Sequence, residues 1–149
     1  THTLVAVLGL RMRYVLWAVV ALLGYTLVPP LVKMATTTIP SNVVLVVSNG
    51  ILLVVGVAIV LFSDVSVTSY LTDTNAIYAY GAGIALTVGI VAYYRALAAG
   101  PVSVVVPIFG MFIATSSIVG IAVLDEPLTA RKVAGIGLAI AAVYLTSVE

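Results

Sequence analysis

The chain has 149 residues, of which 63% are hydrophobic and 7% are charged. Soluble domains carry about 25% charged residues, so this chain lacks the polar surface that keeps a fold dispersed in water. A net charge of +1, with Lys and Arg scattered singly or in pairs, excludes an extended nucleic-acid surface. The chain has no Cys and one His, His2, which excludes disulfides and thiolate metal sites, and no cofactor is predicted. The composition therefore predicts an integral membrane protein.

Five apolar stretches are long enough, or nearly so, to cross a bilayer as helices. The hydrocarbon core is about 30 Å thick, which a helix crosses with about 20 residues. Among open-chain structures, only a helix satisfies its backbone polar groups within one segment in lipid. The predicted fold is therefore an all-α, polytopic transmembrane helix bundle of about five spans, at residues 14–38, 43–62, 75–98, 102–124 and 130–148.

Turn-forming residues separate these spans. Pro40 and its neighbours predict a turn, and residues 63–75 form the longest polar loop. Gly100-Pro101 predicts a tight reversal, because Gly suits a helix C-terminus and Pro suits the next N-terminus. Asp125 and its two successors end the fourth span, and Thr129 is a candidate N-cap for the fifth.

The N-terminal segment and the basic residues predict how the chain lies in the membrane. Residues 1–13 are too short to cross, and we expect an N-terminal segment at the membrane interface or an extension of the first helix. The five-helix domain then covers residues 14–149. Because Lys and Arg favour the cytoplasmic side, the chain is predicted to sit in the cell membrane with a cytoplasmic N-terminus and an external C-terminus. This orientation depends on four basic residues on the N-terminal side against two on the other, namely Arg11, Arg13, Arg131 and Lys132 against Lys33 and Arg95.

The first span contains two unusual features. Lys33 lies close to the end of the span, where a charge is costly and by default marks a substrate pathway. The alternative is that its long side chain only reaches the interface. Pro29 and Pro30 remove backbone donors, so carbonyls near Tyr25 and Thr26 are free to face a cavity, unless the prolines simply kink the helix. Tyr25 and Lys33 are therefore candidate substrate-binding residues.

The third span has a polar aromatic face. At about 100° per residue, Tyr80, Gly83, Thr87 and Tyr94 fall on one side, which predicts a substrate path. Alternatively, the tyrosines belong to the aromatic belt and Thr87 bonds within its own helix. Arg95 is a candidate for binding an anionic substrate, although contact with lipid phosphates is the preferred interpretation.

Asn49 and Pro107 complete the set of candidate site residues. Asn49 lies about one turn inside the second span and needs a partner, for which a bond to another helix is preferred over a ligand. Pro107 is expected to bend the fourth span. Since no carboxylate lies at mid-span and no nucleophile is paired with a base, an enzyme is not predicted.

The order of motifs in the second half resembles the closing half of an EamA domain, from the drug/metabolite transporter superfamily. That half combines an Ala-Leu pair, a short break, a span with a Pro, a Glu after the span and a Gly-containing last helix. Glu126 matches the family's Glu, and we expect it to have a structural role near the N-terminus of the last helix. The double proline departs from the family's simpler first helix. The matching residues are Ala96-Leu97, Gly100-Pro101, Pro107, Gly120, Glu126-Pro127 and Gly135-Ile136-Gly137, with Trp17, Gly24 and Lys33 resembling the opening of the domain.

The resemblance implies both a function and an assembly. Members commonly have ten spans in two five-span halves of opposite topology, and this chain resembles one half. It implies a membrane transporter for small organic metabolites that works by alternating access. The expected partners are the lipid bilayer, a small-molecule substrate and a second copy in a homodimer, either antiparallel or parallel. The alternative is a non-transporting membrane subunit that assembles with a partner and stabilises it.

Overall fold

The computed structural model describes residues 2–125 and 127–147, with side chains for residues 14–125 and 127–146. The described chain is all-helical and contains no strand, which confirms the predicted fold class. Its helices are α1 (His2–Ala35), α2 (Ser41–Leu61), α3 (Val67–Tyr70), α4 (Ala76–Ala99), α5 (Val102–Val123) and α6 (Ala130–Ser147).

Each predicted span corresponds to one helix. Apart from the N-terminus of α1, the predicted and observed helix ends differ by at most three residues. Among the described residues, four helices are long and apolar enough to cross a membrane: Tyr14–Ala35 within α1, together with α2, α4 and α5. The 18-residue α6 is not one of these four, so a fifth crossing remains a prediction. Helix α1 continues without interruption from the predicted interfacial segment, whose position relative to a membrane stays a prediction. The short helix α3 within the polar loop was not predicted.

The predicted turn residues begin and end the helices. Pro40 precedes α2, and its carbonyl accepts the N–H groups of Val43 and Val44 at 2.9 and 3.2 Å. Gly100 follows α4, and its N–H donates to the Ala96 carbonyl at 2.8 Å. Pro101 then precedes α5 in an extended conformation. The tight reversal predicted at Gly100-Pro101 is confirmed, and these two residues separate α4 from α5.

The connection between α5 and α6 contains a cap and an unusual backbone conformation. The backbone N–H of Lys132 donates to the Thr129 hydroxyl oxygen at 3.3 Å, which is the geometry of a helix N-cap. Asp125, which follows the last turn of α5, has a positive φ of 50°. The predicted role of Glu126 lies outside the described residues.

The helices pack around a small core near the Lys33 end of α1. Helices α1, α4 and α5 contact one another, α2 packs against α4, and α6 packs against α5. Leu97 is fully buried at the centre of the core cluster, which consists of Val32, Val44, Tyr93, Tyr94 and Leu97. Most other apolar side chains between residues 14 and 146 are exposed on the surface of the bundle. Such a surface is compatible with lipid or with another apolar protein face.

Candidate functional site

A cavity of about 460 Å³ lies between α1, α4 and α5. Its volume is within the range of small-molecule pockets, about 300–1,000 Å³. Helix α1 contributes Tyr25, Thr26 and Pro29, α4 contributes Tyr93, and α5 contributes Phe109. None of the described residues that line it is charged. The cavity is therefore suited to a largely apolar molecule with few polar groups.

Aromatic rings from two helices form one wall of this cavity. The rings of Tyr93 and Phe109 stack with centroids 3.9 Å apart and an interplanar angle of 20°. Phe112 lies one turn further along α5, with its ring centroid 5.0 Å from that of Phe109. Tyr93 belongs to the buried core cluster, so the wall is continuous with the packed end of the bundle.

The opposite wall contains the interrupted hydrogen-bond ladder of α1. Pro29 is buried and lines the cavity, whereas Pro30 is exposed and does not. Because Pro29 has no N–H, the Tyr25 carbonyl lacks the donor that residue i+4 normally supplies. The Thr26 hydroxyl donates to the Leu22 carbonyl at 2.7 Å, so its oxygen can only accept a further bond.

Lys33 joins α1 to the end of α4 and does not line the cavity. Its ammonium group donates to the carbonyls of Ala98 and Gly100 at 3.3 and 2.9 Å. The last carbonyls of a helix lack intrahelical donors and carry partial negative charge. The side chain is thus held by polar groups of the protein, a third arrangement beside the substrate and interface alternatives.

A hydrogen bond between side chains joins α2 to α4. The hydroxyl groups of Ser48 and Tyr94 lie 2.8 Å apart, and Tyr94 is only 5% exposed. Asn49 donates to the Leu45 carbonyl at 2.9 Å and to Ser48 at 3.4 Å, both within α2. The interhelix bond therefore runs through Ser48, one residue before the predicted Asn49.

The remaining candidates lie apart from the cavity between α1, α4 and α5. Thr87 is exposed and donates to the Gly83 carbonyl of its own helix at 2.7 Å. Arg95 is exposed near the end of α4. Pro107 is half-buried inside α5 without lining the cavity. Of the seven predicted site residues, Tyr25 alone lines this cavity, and substrate binding by the others remains a prediction.

The sequence of residues 12–148 matches the EamA-like transporter family. The chain belongs to this family. Its membership, together with the long apolar helices, identifies a multi-pass membrane protein of the drug/metabolite transporter superfamily. No significant match was found among curated proteins or among solved structures.

The aromatic wall of this EamA-like protein was not predicted from sequence. Helical periodicity placed Tyr94 on the polar face of the third span, and Tyr93 is about 100° away on a helical wheel. Phe109 offered no signal beyond its position two residues after Pro107. Which apolar face of each helix meets its neighbour depends on packing between helices, and a uniformly apolar span carries little pattern to indicate it.

Proposed function

We propose that this EamA-like protein transports small organic molecules by alternating access, with the cavity between α1, α4 and α5 as its substrate site. The observation that carries the proposal is a ligand-sized cavity, with no charge among its described lining residues, bordered by a helix that contains two consecutive prolines. Prolines free backbone carbonyls within a helix, and free backbone carbonyls recur at the binding sites of membrane transporters. Tyr25 is the predicted residue that we expect to touch substrate.

The contacts at the Lys33 end support a state that is closed on that side. There the core cluster packs beside the cavity, and two polar contacts, Lys33 with Gly100 and Ser48 with Tyr94, tie helices together. Opening this end requires α1 or α2 to move relative to α4. Pro107 in α5 is a suitable hinge, because a proline within a helix weakens the hydrogen-bond ladder.

A second copy of the chain is the partner we propose for a complete transport path. The bundle leaves apolar side chains exposed on α2, α4 and α5. A homodimer would cover part of this surface, and an antiparallel arrangement would reproduce the inverted repeats of larger transporters. Cysteines at Thr37 and Ser66, which are exposed and separated by α2, distinguish the arrangements. Cross-links between Thr37 and Ser66 are expected for an antiparallel pair, and efficient Thr37-to-Thr37 links would contradict it.

For a parallel pair, in which every copy has the same orientation, the N-terminus is proposed to face the cytoplasm. Lys33 and Arg95 lie at the same end of the bundle, because the end of α1 meets the end of α4. The same two cysteine positions test the orientation, since the chain has no native Cys. For a parallel pair, a membrane-impermeant thiol reagent applied to whole cells should label Thr37→Cys before Ser66→Cys, whereas an antiparallel pair would present both positions equally. If Ser66→Cys were labelled first, the proposed orientation would be wrong.

Filling the cavity tests its role in transport. The Cβ of a residue replacing Gly110 would meet no neighbouring atom within 4 Å, and Gly110 lines the cavity. Gly110→Leu should lower substrate uptake into proteoliposomes strongly without reducing thermal stability. Gly89→Leu is the matched control, because a Cβ at Gly89 also meets no neighbouring atom within 4 Å and Gly89 does not line the cavity. Equal uptake by both variants would contradict the proposed site, and no uptake of any tested metabolite by the folded wild type would contradict transport.

A further inference from the structure

The gap that Pro29 leaves in α1 lies at the wall of the cavity. Tyr25 and Pro29 are the two ends of one missing i to i+4 hydrogen bond, and both line the cavity. An acceptor without its regular donor is costly where water is excluded. A donor group on a bound molecule can take the place of the missing N–H.

The other groups around the cavity restrict which donors fit. Thr26 adds a second acceptor, because its hydroxyl hydrogen is already bonded to the Leu22 carbonyl. No carboxylate is among the described lining residues, so an ammonium group would bind without a counter-charge. The stacked rings of Tyr93 and Phe109 favour a flat, aromatic body.

We propose that the cavity binds uncharged aromatic molecules that donate an N–H or O–H hydrogen bond to the Tyr25 backbone carbonyl. The inference rests on the proposed function, in which this cavity is the substrate site. It deepens that proposal by naming the ligand class and the atom that recognises it. Pro29 is then a specificity-determining residue, because its missing N–H leaves the carbonyl available.

Indole and 1-methylindole form a matched pair of probes. They share one aromatic body, and only indole has an N–H donor. Binding is measured by calorimetry on the wild-type protein in lipid nanodiscs, with empty nanodiscs as the blank. The Kd for indole should be about threefold to tenfold lower than the Kd for 1-methylindole. Equal affinities would overturn the proposal, because an unspecific apolar crevice does not distinguish the two molecules.

Three variants locate the acceptor. In Pro29→Ala the new N–H can donate to the Tyr25 carbonyl, so the ratio of the two Kd values should fall toward one, leaving only what the Thr26 hydroxyl contributes. This change also favours a regular helix, so misfolding is not the expected cause. Pro30→Ala supplies an N–H to the Thr26 carbonyl and leaves the Tyr25 carbonyl unchanged, and Tyr25→Phe removes only the phenolic hydroxyl, so both should retain the preference.

The outcomes separate the inference from the proposed function. Loss of the preference in Pro30→Ala or Tyr25→Phe would overturn the assignment to the Tyr25 carbonyl, as would an undiminished preference in Pro29→Ala. Binding is measured without transport, so these results do not depend on uptake. Conversely, Gly110→Leu could block uptake while the wild-type protein binds indole and 1-methylindole equally. That result would support the transport proposal and reject the proposed ligand class.

Discussion

Lys33 and Gly100 are separated by 67 positions in the chain, yet the Lys33 Nζ donates to the Gly100 carbonyl oxygen at 2.9 Å. A second bond to the Ala98 carbonyl, at 3.3 Å, holds the same ammonium group. The C-terminal end of α4 is therefore neutralised by a cation from α1, and the two helices end together. This contact explains how a charged residue is accommodated within an apolar helix.

Removing the Lys33 charge should destabilise the bundle. Lys33→Met keeps a long apolar side chain but leaves the Ala98 and Gly100 carbonyls without their donor. Hydrogen bonds from charged groups contribute about 1.5–3 kcal/mol, so we expect a loss of that order in the free energy of unfolding, measured by denaturation in detergent micelles. Arg95→Met removes a charge from an exposed position near the same end and should change stability by less than about 0.5 kcal/mol. Equal losses in both variants would indicate a general charge effect.

Substitution of Gly100 should be destabilising because neighbouring atoms leave little space for a side chain. A Cβ atom built there would lie 3.2 Å from Val105 Cγ2 and 3.4 Å from the Ala96 carbonyl oxygen. Gly100→Ala is expected to cost about 1 kcal/mol of stability, since overpacking forces neighbouring atoms to shift. Val105→Ala removes the nearest of these atoms, so the double variant should lose less than the sum of the two single variants. Strict additivity in thermal or denaturant unfolding would show that the Val105 contact is unimportant.

The hydrogen bond between Ser48 and Tyr94 should contribute modestly to stability. Interhelix hydrogen bonds in membrane proteins are worth about 0.6 kcal/mol on average. Tyr94→Phe and Ser48→Ala should each lower the free energy of unfolding by about this amount, and the double variant by little more. The double-mutant cycle in detergent measures the coupling directly. A coupling energy indistinguishable from zero would mean that the 2.8 Å contact adds nothing to stability.

Sequence patterns predicted best the features that interactions between neighbouring residues determine. Helix spans follow from apolar length, and Pro40, Gly100 and Pro101 end or begin helices through their own backbone restrictions. The N-cap at Thr129 was predicted for the same reason. Sequence reasoning is reliable for these elements because each depends on a residue and its immediate neighbours.

The candidate site was less predictable because it depends on contacts between distant segments. Lys33 could be singled out by its charge, but its partners are backbone carbonyls, which every residue possesses. Ser48 was considered together with Asn49, and the Tyr94 partner was fixed only by the packing of α2 on α4. The periodicity of the third span placed Tyr94, and not Tyr93, on its polar face, and Phe109 lies in an apolar span, so no pattern marked these two residues as lining the cavity.

Replacing Asp125 with glycine should raise stability, because its backbone adopts a conformation that most L-residues avoid. Asp125 follows the end of α5 with a φ of 50°, in the left-handed region that glycine adopts without steric cost. Left-handed backbone costs an L-residue about 1–2 kcal/mol, partly offset when glycine increases the entropy of the unfolded chain. Asp125→Gly is therefore expected to stabilise the protein by several tenths of a kcal/mol, whereas the β-branched Asp125→Val should destabilise it by more than 1 kcal/mol. Asp64→Gly is the matched control, since it removes a carboxylate from another loop where the structure has no positive φ. Denaturation midpoints in one detergent provide the comparison, and a stability gain shared by both glycine variants would point to the loss of charge, not to the relief of backbone strain.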